Sequence, residues 1–117
     1  MSSSVRKIFC IGIGGIGLSA LARYYAHEGY IVCGSDISES ELTETLRGEG
    51  IEVFIGHDAS HIADDVTEII YTIAVNKMTN AEFISASGRG LPMMSYPEAL
   101  GTLTETKKTI AVVVVFP

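Results

Sequence analysis

The sequence predicts an α/β fold: a Rossmann-like, doubly wound and mainly parallel sheet of about five strands, with helices on both faces. Short apolar runs rich in β-branched residues alternate along the chain with segments whose apolar residues recur at helical spacing. A glycine-rich turn, Gly12-x-Gly14-x-x-Gly17, directly follows the first apolar run. Such a turn joins a strand to a helix in a βαβ unit and lets the backbone approach an anion.

The composition indicates one globular domain. The chain has 117 residues, of which 47% are hydrophobic and 19% are charged, which is enough for a buried core. Its formal net charge of −6 argues against non-specific nucleic-acid binding, which requires a basic surface. The apolar runs fall short of the roughly 20 residues that span a membrane, and the N-terminus lacks the apolar region of a signal peptide. We therefore expect a cytoplasmic protein with no nucleic-acid or membrane partner.

The first half of the chain predicts three strands and two helices. Apolar residues recur at helical spacing after the glycine turn, and Ser38-x-x-Glu41 is a capping-box pattern that would begin the second helix. The predicted elements are, in order, a strand at 5–11, a helix that ends near residue 29, a strand at 30–34, a helix that ends at 48–50, and a strand at 51–55.

The second half continues the alternation. Asn80 would cap the third helix, and Pro97 would occupy the first turn of the last helix. The predicted elements are a helical turn around residues 61 and 62, a strand at 68–75, a helix from 80 through 86, a strand at 92–95, and a helix to about residue 104. The apolar segment 109–116 is a further strand pattern, which we expect to pair with the sheet or to drive self-association.

The predicted ligand site lies at the carboxyl ends of the strands, where the loops of a doubly wound sheet converge. Backbone N–H groups near Gly14 and Gly17 would hold a pyrophosphate at the positive end of the first helix. Asp36 follows the second strand at nearly the spacing of an acidic residue that binds a ribose hydroxyl, although a turn or cap aspartate explains it too. These residues fit an NAD-binding oxidoreductase domain. A module of the same fold without a ligand is an alternative.

Other candidate residues lie in the same loops or in the strands. Ser35 would bind the ligand or cap a turn, and His57 would contact the ligand or remain a solvated loop residue. The other two histidines are expected to be structural or exposed. Cys10 and Cys33 fall inside predicted strands and would be buried free thiols. The chain shows no zinc-ligand spacing, no phosphate loop and no nucleophile with an evident base, so we expect neither a metal site nor a catalytic residue.

Segments along nearly the whole chain resemble the N-terminal domain of Mur ligases. The similarity begins with Phe9-Cys-Ile-Gly-Ile-Gly-Gly-Ile-Gly-Leu-Ser-Ala and Gly29-Tyr-Ile-Val-Cys-Gly-Ser-Asp36. It continues in order through residues 43–51, Gly56-His57, Tyr71-Thr-Ile-Ala74, Asn80-Ala-Glu82, Tyr96-Pro-Glu-Ala-Leu100 and Lys108-Thr-Ile-Ala-Val112. The resemblance implies that residues 1–107 form a Rossmann-like domain that binds UDP-N-acetylmuramate rather than NAD.

The resemblance also implies roles for individual residues. The glycine loop would hold the diphosphate through Gly12, Ile13, Gly14, Gly15, Ile16 and Gly17. Residues near the other strand ends would bind the sugar or uridine: Ser35, Asp36, His57, Thr72, Ile73, Ala74 and Tyr96. Many family members carry an arginine close to the position of Tyr96, so an aromatic contact would replace it here. A related family member that recycles muramyl peptides has a similar N-terminal domain and stays open as an alternative.

The family reaction implied by the resemblance is an ATP-dependent ligation in peptidoglycan biosynthesis. ATP phosphorylates the muramyl carboxylate, and an amino acid then attacks the acyl phosphate. The family follows Ile-Ala-Val with the ATP phosphate loop G-T-H-G-K-T, whereas here residues 110–112 precede Val-Val-Val-Phe-Pro. We therefore expect residues 108–117 to be an apolar tail resembling the first strand of an absent central ATPase domain. ATP and Mg²⁺ would belong to the full-length enzyme, and this chain alone would bind the substrate without catalysis.

Overall fold

A parallel five-stranded sheet with helices on both faces is formed by residues 5–106, which the computed structural model describes. The strands are β1 (Lys7–Ile11), β2 (Ile31–Asp36), β3 (Glu52–Ile55), β4 (Glu68–Tyr71) and β5 (Met93–Ser95). The helices are α1 (Ile16–His27), α2 (Glu41–Gly48), α3 (Ala81–Gly88) and α4 (Tyr96–Thr106), with a 3₁₀ turn at Ala59–His61. The fold class predicted from the sequence is confirmed.

The strand order is β3-β2-β1-β4-β5, and every pairing is parallel. The chain therefore builds the sheet outward from β1 in one direction and then crosses to the other side at β4. This reversal creates a switch point beside the carboxyl end of β1, where doubly wound sheets bind their ligands.

Two apolar clusters hold the helices against the sheet. On one face, Ile8 and Cys10 of β1 pack with buried residues of α1, α2 and α4. On the other face, Phe9 and Ile11 pack with buried residues of α3 and of the segment after the 3₁₀ turn. Successive side chains of a strand point to opposite faces, so β1 contributes to both clusters. The central strand thereby fixes the position of the glycine turn that follows it.

Some local boundaries differ from the sequence prediction. Ser40, rather than Ser38, caps α2: its hydroxyl accepts from the N–H of Thr43, and the Thr43 hydroxyl accepts from the N–H of Ser40. The predicted partner, Glu41, is the first residue of α2 and lies too close to Ser40 to make the reciprocal bond, which requires the third residue of the helix. β2 continues to Asp36, and β4 ends at Tyr71, so that residues 72–75 form a turn at the end of the strand.

The expected C-terminal strand at 109–116 lies outside the described residues. Its pairing, self-association through it and the boundary between residues 107 and 108 therefore stay predictions. In the part of the chain that the structure describes, no helix is long and apolar enough to cross a membrane.

The backbone of β2 approaches the end of β1 closely at Gly34. A Cβ atom at this position would overlap the carbonyl oxygen of Cys10 and would lie 2.9 Å from Cβ of Ile13. Cys10 is also the register partner of Gly34 in the β1–β2 pair, so the clash cannot be relieved without disturbing the pairing. Only glycine fits here.

We predict that Gly34→Ala lowers the free energy of unfolding by about 1–3 kcal/mol, the usual cost of overpacking a core. The matched control is Gly101→Ala in α4, where a Cβ atom would meet nothing within 4 Å. Alanine there should leave stability unchanged or raise it by about 0.5–1 kcal/mol, because glycine is unfavourable inside a helix. Urea unfolding followed by circular dichroism measures both variants. Equal stability of the two would contradict the close approach at Gly34.

The two cysteines are free and buried, as the sequence predicts. They lie on neighbouring strands but belong to opposite apolar clusters. Burial raises the pKa of Cys33 to about 11 and raises the pKa of Cys10 well above its ordinary value. Both groups are therefore protonated thiols at neutral pH.

We predict that neither cysteine reacts with a disulfide reagent such as DTNB in the native protein at neutral pH. The reacting species is the thiolate, and both burial and the raised pKa values suppress it. Both thiols should react once the protein is unfolded in denaturant. Rapid labelling of either cysteine in the native chain, followed by absorbance, would show that the strand in question opens readily.

Candidate functional site

A cleft of about 560 Å³ lies at the carboxyl ends of the central strands. Loops that follow β1, β2, β3 and β4 form its walls, as expected at the switch point of this fold. Several predicted site residues line the cleft: Gly12, Gly14, Gly15, Asp36, His57, Thr72 and Ala74. Polar residues that the sequence interpretation did not select line it as well: Ser38, Ser40, Asn76, Thr79 and Asn80.

Other predicted site residues lie outside this lining. Ile13 belongs to the apolar cluster on the α1 face, and the side chain of Ser35 is fully buried. Ile16 and Ile73 project outward, with 71% and 75% of their surface exposed. Each of the two is adjacent in sequence to residues that line the cleft. A role for any of these side chains in ligand binding stays a prediction.

Gly17 and Tyr96 contact each other between α1 and α4. A Cβ atom at Gly17 would lie 2.7 Å from the hydroxyl oxygen of Tyr96 and equally close to the ring. Tyr96 is partly buried against the apolar cluster of that face. The glycine therefore lets the start of α1 pack on an aromatic ring, and contact between Tyr96 and a uridine stays a prediction.

The backbone N–H groups of residues 12–15 in the glycine loop donate hydrogen bonds to acceptors within the protein. Gly12, at a φ of +86°, and the residue after it both donate to the carbonyl oxygen of Ser35, at 2.8 and 2.9 Å. Gly14 donates to Oδ2 of Asp36 at 2.8 Å, and Gly15 donates to the carbonyl oxygen of Gly12 at 3.1 Å. The loop is therefore held in shape by its own contacts.

The first turn of α1 provides donors that the loop contacts do not use. Gly15 is the N-cap of α1 and makes no side-chain cap bond. Its carbonyl oxygen accepts from Ser19, so the N–H groups of residues 16–18 precede the first intrahelical bond and have no acceptor in the helix. These groups and the helix dipole favour an anion at this end of the cleft.

Asp36 supports the glycine loop. Its Oδ2 accepts from Gly14 and its Oδ1 accepts from Ile37, both at 2.8 Å. A Cβ atom at Gly14 would lie 2.8 Å from Oδ2, so glycine is needed for this contact. Each carboxylate oxygen keeps a lone pair that a ligand hydroxyl can use. The contact with the ligand stays a prediction, whereas the contact with the loop is present.

Glu82 on α3 is a buried carboxylate that the sequence interpretation did not select. Ser35 donates to its Oε1 at 2.6 Å, and Nδ1 of His57 lies 2.8 Å from the same oxygen. Nδ1 of His61 lies 2.6 Å from Oε2, and the N–H of Asp58 lies 3.4 Å from it. One carboxylate thus joins the end of β2, the loop after β3 and α3. The resemblance includes Glu82, but nothing in its spacing indicates burial.

Ser35, His57 and Glu82 do not form a nucleophilic triad. Ser35 and Glu82 both contact Nδ1 of His57, whereas a triad places the serine and the acid on opposite ring nitrogens. The buried Ser35 hydroxyl is also out of reach of a substrate. Among residues 5–106, no group of three or more histidine, cysteine or acidic side chains could hold a metal ion.

The family follows from comparison with known sequences. The pattern of the "Mur ligase family, catalytic domain" matches residues 7–108. The chain belongs to the Mur ligase family. The resemblance seen in the sequence is thereby confirmed, and it covers most of the chain.

Individual Mur ligases are similar to this chain in sequence and in structure. The UDP-N-acetylmuramate–L-alanine ligase of Carboxydothermus hydrogenoformans is 45% identical over 115 residues, which are 96% of this chain and 25% of that protein. The crystal structure of UDP-N-acetylmuramate-alanine ligase MurC from Thermotoga maritima matches with a TM-score of 0.80 and 37% identity, over 86% of this chain and 23% of that chain.

A second solved structure that is similar to this chain is that of a different UDP-N-acetylmuramate ligase. The UDP-N-acetylmuramate:L-alanyl-gamma-D-glutamyl-meso-diaminopimelate ligase from Neisseria meningitides matches with a TM-score of 0.76 and 25% identity, over 88% of this chain and 31% of that chain. The chain spans about a quarter of the length of the curated relatives it matches.

We predict that Asp36→Asn loosens the glycine loop. An asparagine side chain has one acceptor oxygen, so it can serve only one of the two N–H groups that Asp36 holds. The free energy of unfolding should fall by about 1–3 kcal/mol, the cost of an unsatisfied donor. Hydrogen exchange of the Gly14 amide, followed by NMR, should become faster. The exposed Asp64→Asn is the control, and an unchanged Gly14 exchange rate would contradict the bracing role of Asp36.

Proposed function

We propose that this chain binds UDP-N-acetylmuramate as the substrate-binding part of a UDP-N-acetylmuramate–L-alanine ligase. The observation that carries the proposal is the start of α1: its first N–H groups have no acceptor in the helix, and they directly follow Gly14 and Gly15, which line the cleft in a glycine loop that is already bonded. A diphosphate placed there receives donors without breaking any contact of the loop. The 45% identity to a ligase of this name supports the same ligand.

The diphosphate would lie against the N–H groups of Ile16 and Gly17. The sugar and uridine would extend through the cleft between Thr72, Ala74 and His57, which line it. The cleft volume of about 560 Å³ is in the range of small-molecule sites. Because the chain carries a net charge of −6, we attribute the attraction for this anion to the local helix dipole rather than to the overall charge.

The alternative of an NAD-binding oxidoreductase domain has less support. In such domains the acid after the second strand binds ribose hydroxyls. The bonds of Asp36 to the backbone leave each oxygen a lone pair for a hydroxyl of either ligand, so they do not separate the two. The Mur ligase family match and the 45% identity to a UDP-N-acetylmuramate–L-alanine ligase favour the sugar nucleotide. The recycling ligase would use the same kind of sugar nucleotide, but the solved structure of that activity is 25% identical to this chain and the L-alanine ligase is 37% identical. We therefore favour the L-alanine ligase.

The role of this chain would be to hold the substrate. In the complete reaction, ATP would phosphorylate the muramyl carboxylate, and L-alanine would attack the acyl phosphate. We assign ATP, Mg²⁺ and L-alanine to parts of the ligase other than residues 5–106. A cytoplasmic location in peptidoglycan biosynthesis goes with this proposal, and the two free cysteines fit a reducing compartment.

We predict that Gly15→Asp removes binding of UDP-N-acetylmuramate, whereas Gly15→Ser weakens it only modestly. The position has φ −66° and ψ 150°, and a Cβ atom would come no closer than 3.5 Å to the carbonyl oxygen of Gly12. Both side chains can cap α1, but only the aspartate repels a diphosphate. Isothermal titration calorimetry should give the aspartate variant an affinity more than about ten-fold below that of the serine variant. The two variants should have similar Tm values.

Ligand-binding measurements separate the proposed function from the oxidoreductase domain and from a module without a ligand. The unaltered protein should be stabilised in a thermal-shift assay by UDP-N-acetylmuramate and not by NAD. Selective stabilisation by NAD would favour the oxidoreductase domain, and no shift with either ligand would favour a module without a ligand. Equal affinity of the two Gly15 variants would place the diphosphate away from α1.

A further inference from the structure

We propose that Glu82 is a positioning residue: it fixes the proton of His57 on Nδ1 and thereby presents Nε2 of His57 to the ligand as a hydrogen-bond acceptor. The inference rests on the proposed function, because it concerns the wall of the same cleft. Glu82 lies behind that wall, fully buried, and does not line the cleft itself.

The contacts at Nδ1 determine where the imidazole proton lies. A carboxylate only accepts hydrogen bonds, and the single hydroxyl proton of Ser35 is donated to Oε1 of Glu82 at 2.6 Å. Nδ1 of His57 lies 2.8 Å from that same oxygen and 3.1 Å from Oγ of Ser35. Both neighbours are acceptors towards the ring, so Nδ1 carries the proton.

The second oxygen of Glu82 secures the segment that carries His57. Nδ1 of His61 donates to Oε2 at 2.6 Å, and the ring of His61 stacks on Phe54 with centroids 4.3 Å apart. The N–H of Asp58 approaches the same oxygen at 3.4 Å. Donors thus surround both oxygens, which is what a buried carboxylate requires. The loop 57–61 is held between β2 and α3 as a result.

The opposite ring nitrogen is left for the cleft. With Nδ1 directed at Glu82, Nε2 of a neutral His57 is an acceptor on the other side of the ring. About a quarter of the His57 side chain is exposed, and the residue lines the cleft. Within residues 5–106, the hydrogen bonds of the His57 ring are made through Nδ1. The ligand chemistry that fits Nε2 is an O–H or N–H donor, which a sugar nucleotide carries on its hydroxyl and amide groups.

The first test uses the unaltered protein. ¹⁵N NMR distinguishes the two neutral tautomers of an imidazole from each other and from the imidazolium. We expect His57 and His61 as Nδ1–H tautomers, with the exposed His27 as an internal reference. Addition of UDP-N-acetylmuramate should shift the Nε2 resonance of His57. A His57 protonated on Nε2 would overturn the inference.

The second test is a double-mutant cycle on affinity for UDP-N-acetylmuramate. His57→Asn keeps an N–H donor near Glu82 but removes the Nε2 acceptor, and we expect binding to weaken about five- to ten-fold. Glu82→Met should weaken binding to a similar degree. Because Glu82 acts through His57, the double variant should bind as weakly as His57→Asn alone. Independent, multiplying losses would mean that Glu82 has only a general structural role.

Two further variants complete the design. Glu82→Gln keeps one acceptor oxygen, which can stay on Ser35 and His57, so it should retain most of the affinity that the methionine variant loses. Glu44→Met, on the exposed face of α2, is the matched control and should bind normally. If the unaltered protein does not bind the sugar nucleotide, the proposed function fails, and the tautomer measurement still decides whether Glu82 controls His57.

Discussion

The close approach of β2 to the end of β1 is the constraint on which the site depends. Since Gly34 has no side chain, the backbone of β2 can lie against the Cys10 carbonyl and Ile13. The carbonyl oxygen of the next residue, Ser35, is then within reach of two N–H groups of the glycine turn. One residue further, Asp36 reaches the N–H of Gly14. Three consecutive residues of β2 thus shape the loop that directs the start of α1 into the cleft.

Two carboxylates on different sides of the cleft support its walls through hydrogen bonds to groups of the protein itself. Asp36 holds the glycine loop through the N–H of Gly14 and also accepts from the N–H of Ile37. Glu82 holds the loop that carries His57 through side-chain donors and one backbone N–H. Hydrogen bonds to each carboxylate disperse its charge, which allows an anionic ligand to be placed nearby. Rigid supports of this kind reduce the ordering that a ligand must impose when it binds.

The glycine fingerprint by itself does not decide the ligand. A strand, a glycine turn, a helix and a following acid suit any diphosphate that can lie on a helix N-terminus, and fold does not imply function. Membership of the Mur ligase family shifts the interpretation from a dinucleotide to a sugar nucleotide. The chain would then contribute substrate position to a reaction whose other reactants bind elsewhere.

The fold class, the order of the elements, the glycine turn and the cap at Asn80 are predictable from the chain alone, because each depends on periodicity or on residues a few positions apart. The sequence also indicates much of the cleft lining, since strand ends in a parallel sheet meet at one edge. The place of Ile13 in the core and the burial of Glu82 follow from packing between distant parts of the chain. The bond from Ser35 to Glu82 joins residues 47 apart, and the bond from Gly14 to Asp36 joins residues 22 apart. Such partners are chosen by how the packed helices and strands meet, so no local pattern in the chain can reveal them.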